Sequence, residues 1–389
     1  MATSGIVKTN VSYGSYFWVK WEIKGSQDIT NNRTTISWSC GLHPEEEYYT
    51  NAVRMDAVTI NGTKVYSGGT YSNITDYQDR TFGSGTLTIP HNSDGSKSFT
   101  ISAVSGWIYY NGDYYGAAKS FTLPTIPRAS SVSCTTANIG SNATISISRA
   151  SSSFTHTLSY AFGDLTGTIA TKTSSTSVSW TIPTTFYAKI PNAKSGTGTI
   201  TCDTYNGSTK IGSKTCSFTA TVSESASKPT LSPTVVDNNS TTTALTGDSS
   251  KFIKYYSNAS VSTGASARNS ATLKSQKITC GSKSISSASG TINKVESGSF
   301  KFSATDSRGY TTSQTVTKTL INYVKLTCSI NASAASTSGV AELKISGNYW
   351  DGNFGVTNNT LTVQYRYKEQ DGTYSNWTNS SASVDKSNN

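Results

Sequence analysis

Three stretches of the chain repeat one pattern at intervals of about a hundred residues, the length of one complete β-sandwich. Residues 95–124 read GSKSFTISAVSGWIYYNGDYYGAAKSFTLP, residues 195–222 read SGTGTITCDTYNGSTKIGSKTCSFTATV, and residues 297–321 read SGSFKFSATDSRGYTTSQTVTKTLI. Each opens on Gly and Ser, runs an alternating strand, turns on NGD, NGST or DSRG, and returns on a second alternating strand. Asn-Gly between alternating runs is a strong hairpin signal, because both central residues of a type I′ turn need a positive φ. The repeat predicts an all-β chain of tandem antiparallel β-sandwiches, each closing on a C-terminal hairpin.

Four of the eight prolines fall in two short stretches, TLPTIPRASS (122–131) and ASKPTLSPTV (226–235). Proline lacks the N–H a ladder needs and fixes φ, so it belongs between sandwiches and stiffens the linker. The expected organisation is an aromatic-rich N-terminal β-sandwich over 1–125, immunoglobulin-like sandwiches over 126–225 and 226–322, and a last segment over 323–389. In that last segment Leu361, Val363, Tyr365 and Tyr367 alternate with polar residues, as in the central strands of a fibronectin type III module. Its length is short of the roughly 100 residues of a whole sandwich, so it is expected to be an incomplete module. The whole reads as a stiff rod of modules.

Residues 1–125 hold 11 of the 22 tyrosines and 4 of the 7 tryptophans. In YFWVKWEIKG, Phe17, Val19, Trp21 and Ile23 alternate with Trp18, Lys20, Glu22 and Lys24, the mark of a half-buried strand. Ile36, Trp38 and Cys40 share a face in TISWSCGL, expected to be the opposite wall of the same core. Val178 and Trp180 do the same in SVSWTIP.

Composition removes several classes of function. The six cysteines are scattered, none in a CxxC, and each sits in an alternating stretch where a thiol behaves as a small hydrophobe. Buried free thiols are expected, with Cys202 and Cys216 placed to face each other across a hairpin. No run of 18 apolar residues exists to span a membrane, and the start MATSGIVKTNVSYG lacks the basic-then-apolar order of a secretory signal. The net charge is +10, but residues 226–322 carry 11 basic against 4 acidic groups as lysines spread singly. That is a solvated basic surface, suited to an anionic polymer or another subunit and not to specific nucleic-acid binding.

The chain offers little to chemistry. His43, His91 and His156 lie far apart, none with a second His or Cys at ligand spacing, so no metal and no cofactor is expected. HPEEEYY (43–49) clusters carboxylates that diverge along a strand or loop. A glycosidase needs two carboxylates facing across a cleft, and nothing pairs Asp28, Glu45, Asp76 and Asp94. No GxSxG, P-loop or dinucleotide fingerprint occurs, and no catalytic residue is assigned. In TIPHNSDGSKSF (88–99) the polar cluster around His91 and Asp94 is turn chemistry: Asn and Asp bond their own backbone and Gly takes positive φ. The constellation above background is aromatic, GWIYYNGDYYG (106–116), with Trp107, Tyr109, Tyr110, Tyr114 and Tyr115 around an Asn-Gly turn. Alternation sets Ile108 and Tyr110 on one side and Trp107 and Tyr109 on the other. Exposed rings beside Asn and Asp suit sugar binding; contact with another module or subunit, and ordinary packing, are the competing readings.

TLTIPHNSDGSKSF, FTLPTIPRASS, IPNAKSGTGTITCDTYNGSTKIGSKTCSFTATV and TDSRGYT, in this order along the chain, resemble a family of siphophage minor structural or tail proteins from phages of Gram-positive bacteria. The resemblance implies a virion component of the tail tip or fibres that touches the host surface. It implies other phage tail subunits, a host cell-wall polysaccharide or teichoic-acid-like polymer, and further copies of the chain as partners. It also implies synthesis in the host cytoplasm without a signal peptide. The expected function is non-enzymatic attachment through the N-terminal module; a tail spacer without receptor contact and a cell-wall glycan hydrolase accessory are the alternatives.

Overall fold

Alternation over residues 16–23 and 33–40 yields two neighbouring strands and the first wall of a core. The computed structural model describes residues 1–9, 15–44, 53–71, 78–107, 114–335 and 340–380. Strands β1 (Ser4–Lys8), β2 (Tyr16–Ile23), β3 (Arg33–His43) and β6 (Arg80–Pro90) form one sheet in the order β1-β2-β3-β6. Strands β4 (Val53–Ile60), β5 (Thr63–Tyr71), β7 (Ser98–Trp107) and β8 (Tyr114–Thr122) form the second, in the order β5-β4-β7-β8. Between the two lies one continuous core that includes Phe17, Val19, Trp21, Ile36, Trp38, Met55, Ile60, Phe99 and Ile101. Trp21 meets Phe99 and Phe121 edge-on, with ring centroids 5.0 and 5.2 Å apart, contacts worth about 0.5–1.5 kcal/mol each beyond the area they bury.

One expectation needs correcting. Ile36, Trp38 and Cys40 do not form the wall opposite Phe17, Val19 and Trp21. They belong to the same sheet, with Trp21 paired to Trp38, Val19 to Cys40 and Ile23 to Ile36. Alternation fixes which residues share a face but not which strand stands across the core, and the short connection after Ile23 makes β2 and β3 neighbours. The opposite wall comes from β4 and β7.

The chain divides into two compact units, Met1–Ile182 with Thr197–Ala220, and Pro183–Gly196 with Thr221–Asn389. In the first unit the proline-rich stretch after β8 is tied to the N-terminal sandwich. Arg128 Nη1 donates to the Ile29 carbonyl at 2.6 Å, Gln27 Nε2 to the Pro124 carbonyl at 2.8 Å, and the Ile126 N–H to the Gly95 carbonyl at 2.9 Å. Strands β9 (Ser131–Cys134), β10 (Ala137–Asn138), β11 (Asn142–Ser148), β12 (Phe154–Phe162), β13 (Leu165–Thr173), β14 (Ser177–Thr181), β15 (Ser195–Asn206) and β16 (Thr209–Thr221) follow. They make a five-stranded sheet, β10-β16-β15-β12-β13, and a three-stranded sheet, β14-β11-β9. Trp180 of the smaller sheet meets Phe218 of the larger edge-on at 5.1 Å, which closes a second sandwich. The β15–β16 turn departs from the type I′ form expected of Asn-Gly: Asn206 is the last residue of β15 without positive φ, and Gly207, with φ of 59°, takes the first turn position.

In the second unit, strands β17 (Thr234–Asp237), β18 (Lys251–Ile253), β19 (Ala259–Ser262), β20 (Leu273–Cys280), β21 (Lys283–Ile285), β22 (Ser289–Ile292), β23 (Ser299–Asp306), β24 (Thr311–Thr317) and β25 (Thr319–Ile321) surround a core of Phe252, Val261, Ile278, Phe300 and Phe302. The sheets run β17-β19-β22 and β21-β20-β23-β24, with β18 parallel to β25 at the side. The DSRG turn joins β23 to β24. Its Arg308 is buried and donates to the carbonyls of Ile190, Tyr187, Arg268 and Asn269, so a motif legible as a turn is also a structural clamp.

Beyond residue 325 the pairing thins. Strands β26 (Ser329–Ala334) and β27 (Ala341–Ser346) form a two-stranded ribbon, exposed throughout. The alternating run over 361–367 yields only the two-residue strand β28 (Gln364–Tyr365), paired with β29 (Thr378–Asn379). Tyr365 and Tyr367 are exposed, and among the described residues no second sheet lies on them to reward a longer strand. The architecture is all-β, with antiparallel sheets packed as sandwiches up to residue 321 and two-stranded ribbons after it.

Candidate functional site

The two sheets of the N-terminal sandwich bring a common set of strand ends together. In the first sheet Lys8 pairs with Trp18, Tyr16 with His43 and Leu42 with Arg80. In the second, Val53 pairs with Tyr71 and Trp107 with Tyr114. Lys8 and Ala117 line one shallow depression, so both sets mark the same end of the sandwich. The connections between these strand ends carry, in sequence, Tyr13, Tyr48, Tyr49, Tyr77, Tyr109 and Tyr110. With Tyr16, Tyr71, Tyr114 and Tyr115 they make ten of the eleven tyrosines of residues 1–125, all but Tyr66. The opposite end receives the Arg128 linker contacts.

Of the aromatic residues singled out by sequence, Tyr109 and Tyr110 lie outside the described residues. Trp107, Tyr114 and Tyr115 stand at the tips of β7 and β8, where the ladder shifts register between Val104 and Trp107.

On the outer face of the first sheet, side chains form a connected set. His43 Nδ1 lies 2.6 Å from Asp79 Oδ1, and its ring stacks on Tyr16 with centroids 4.8 Å apart. Lys20 Nζ reaches Asp79 Oδ2 at 3.4 Å and sits 4.3 Å over the Trp18 ring. Lys8 Nζ donates to the Tyr16 hydroxyl at 2.8 Å. The hydrogen bond from His43, then the bond and charge of Lys20, hold the Asp79 carboxyl below the usual carboxylate range. Alternation points Trp18 outward, yet it is buried: it covers Gly41, where a Cβ would strike both its ring and the Arg80 carbonyl. Sequence reasoning missed this set, because His43 and Asp79 are 36 residues apart and meet only through the β3–β6 pairing.

The remaining polar candidates separate. Asp28 pairs with Arg33 at 2.9 Å and caps the Asn31 N–H, while Glu45 and Asp76 lie outside the described residues. Asp94 Oδ1 accepts from the Ser96 N–H and hydroxyl at 2.9 and 2.7 Å, and His91 bridges Thr34 Oγ1 and the Gly95 carbonyl. His156 is fully buried, with Nε2 2.9 Å from Ser130 Oγ, and burial lowers its pKa. All six cysteines are free thiols, Cys202 and Cys216 included. No described helix is long and apolar enough to cross a membrane.

No curated protein matches the chain. Among solved structures it is similar to fibronectin(III)-like modules of CbhA from Clostridium thermocellum, at 14% identity over 49% of this chain and 95% of that one, TM-score 0.17. It is also similar to immunoglobulin domains 1–5 of Sidekick-1, at 10% identity over 82% and 77%, TM-score 0.19. A third similar structure is PcdhgB3 EC1-4, at 9% identity over 75% and 83%, TM-score 0.24. Residues 13–388, nearly the whole chain, match the family described as "Siphovirus protein of unknown function (DUF859)", and the chain belongs to that siphovirus family.

Proposed function

We propose that this protein is a structural component of the siphovirus tail that attaches the virion to a polysaccharide of the host surface through the tyrosine-rich end of its N-terminal sandwich. One observation supports the reading: the strand ends that carry Tyr16, Tyr71, Trp107, Tyr114 and Tyr115 belong to one end of one sandwich, and the sequence between those ends holds six further tyrosines. Tyrosine offers a large, rigid, amphipathic contact at low entropic cost, and loops at one end of a sandwich are a recurrent place for it. Each contact is weak, and several copies on one particle multiply it by avidity. The role is adhesive and non-catalytic, and its partners are neighbouring tail subunits, copies of the chain and a cell-wall polysaccharide or teichoic-acid-like polymer.

The test is binding of the fluorescently labelled full chain to host cells and to purified cell wall, with and without Trp107→Ala, Tyr109→Ser, Tyr114→Ser and Tyr115→Ser combined. Attachment falls at least about tenfold, the equivalent of two aromatic contacts. Undiminished attachment would sink the proposal.

A second reading, a purely structural tail part, is favoured by the β26–β27 ribbon. Ile330 pairs with Ile345 and Ala332 with Leu343, so one face is apolar, and these three large residues are 46–64% exposed. An assembly role makes Ile330→Asn with Leu343→Asn abolish incorporation into particles while soluble-chain attachment is kept.

A further inference from the structure

We propose a second, separate binding site in the C-terminal unit, a cleft that takes a neutral saccharide. It does not rest on the N-terminal reading. The cleft has a volume of about 570 Å³ and lies between the helix Ser240–Thr246 and residues 354–360. That size falls within the roughly 300–1,000 Å³ usual for small-molecule sites.

Its floor is aromatic. Tyr256 and Tyr323 meet edge-on at 5.1 Å, Tyr323 and Phe354 at 5.9 Å, and Trp350 backs Phe354 at 4.7 Å. Tyr256 is 45% exposed, so part of its ring is open to a ligand. A sugar presents one apolar C–H face that such a ring covers, and its hydroxyls need oriented partners.

The rim supplies them. The Thr241, Thr357 and Thr360 hydroxyls line the cleft and make no hydrogen bond among the described residues. The wall behind is fixed before any ligand arrives. Asn239 accepts from the Thr241 N–H at 3.1 Å and donates to the Tyr256 carbonyl at 2.9 Å, and Asn359 donates to the Trp350 carbonyl at 2.7 Å. Preorganisation of this kind lowers the cost of binding.

Charge selects the class of ligand. No Asp, Glu, Lys, Arg or His is among the described residues that line the cleft. An anionic sugar or a polyol phosphate would lose its hydration there without gaining a counter-charge. A neutral, hydroxyl-rich ring fits.

The experiment titrates the full chain with glucose, galactose, rhamnose and N-acetylglucosamine, and with glycerol phosphate as the anionic probe, read by saturation-transfer NMR. At least one neutral sugar saturates, and glycerol phosphate does not. Tyr256→Ala weakens that sugar by roughly threefold to tenfold, the worth of one aromatic contact. Thr357→Val, a shape-conserving change to a hydroxyl that holds nothing in the fold, weakens it by a similar factor. The site is overturned if no neutral sugar saturates, if both variants bind as the parent does, or if glycerol phosphate is preferred. Saturation lost in Tyr114→Ser but kept in Tyr256→Ala would place the sugar at the N-terminal end and also overturn it. Cell attachment that survives the N-terminal substitutions, with sugar saturation still dependent on Tyr256, would sink the attachment reading and leave this site standing.

Discussion

Asp306 and Arg308 stand two residues apart in one turn, both buried, and their side chains serve different partners. Asp306 Oδ1 accepts from the Arg308 and Tyr310 N–H groups at 3.0 and 2.8 Å and shapes the turn. Arg308 sends its guanidinium away from that carboxylate to four main-chain carbonyls, the shortest bond being 2.6 Å to Asn269. The turn is thereby both a strand connection and an anchor for residues far off in sequence.

Arg308→Lys therefore keeps the charge and loses the fork. A lysine ammonium cannot reach carbonyls spread around a planar guanidinium, and burial penalises a charge whose acceptors are lost. Chemical denaturation is expected to give a loss of about 2–4 kcal/mol in the C-terminal unit, with Arg308→Ala no milder.

Asp237 is a second buried polar knot. Its Oδ2 accepts from the Thr242 and Ser257 hydroxyls, each at 2.6 Å, and its Oδ1 from the Asn239 and Asn258 N–H groups at 3.0 and 3.2 Å. Asp237→Asn turns one acceptor into a donor facing hydroxyls, and Ser257 Oγ already accepts from the Ile253 N–H. A loss of about 1–3 kcal/mol is expected by thermal or urea unfolding.

Gly95 closes the HNSDGS turn with φ of 83°, and a Cβ there would collide with the Ile126 carbonyl. Gly95→Ala brings both penalties at once, left-handed backbone and steric overlap, so the cost exceeds the about 1 kcal/mol typical of an open positive-φ site. The melting temperature of residues around the linker, followed by hydrogen exchange at the Ile126 amide, checks it.

Thiol chemistry separates the cysteines. Burial pushes Cys40, Cys134 and Cys202 up to about 11 and raises Cys216 and Cys280, while Cys328 is exposed. A thiol with a raised pKa stays protonated and unreactive near neutrality. Ellman titration of the native chain at about pH 8 labels Cys328 first, and denaturation releases all six thiols.

Asp79 predicts the acid response of the N-terminal sandwich. Its folded pKa is depressed, so its contribution to stability is present above the unfolded value of about 3.9 and is lost as pH falls through the folded one. His43 and Lys20 are the cause. Melting temperature is expected to hold on descent to about pH 4 and then fall, and Asp79→Asn to blunt that fall. The side chains are partly exposed, so salt weakens the effect.

Much of the fold was written in local pattern. The period-two runs Phe17–Ile23 and Ile36–Cys40 named their buried faces, and NGST and DSRG named their turns, because those signals depend on a few neighbouring residues. The same runs did not say that β2 and β3 share a wall, since face and partner are independent properties of a strand. The aromatic cluster 106–116 was visible as a concentration of rings. Its neighbours at that end of the sandwich were not, because the strand ends of Tyr16, Tyr71 and Tyr114 share an end only through strand direction and sheet order.

Sequence alone determined the class of the chain: all-β, built on alternating strands and hairpins. Tertiary structure decided the sites. The hydrogen bond between His43 and Asp79, the four carbonyls around Arg308 and the cleft of Tyr256, Tyr323 and Phe354 join residues 31 to 121 positions apart. Alternation and turn residues encode local conformation, whereas such meetings depend on which strands pair and which loops pack, and these are settled only when the whole core closes.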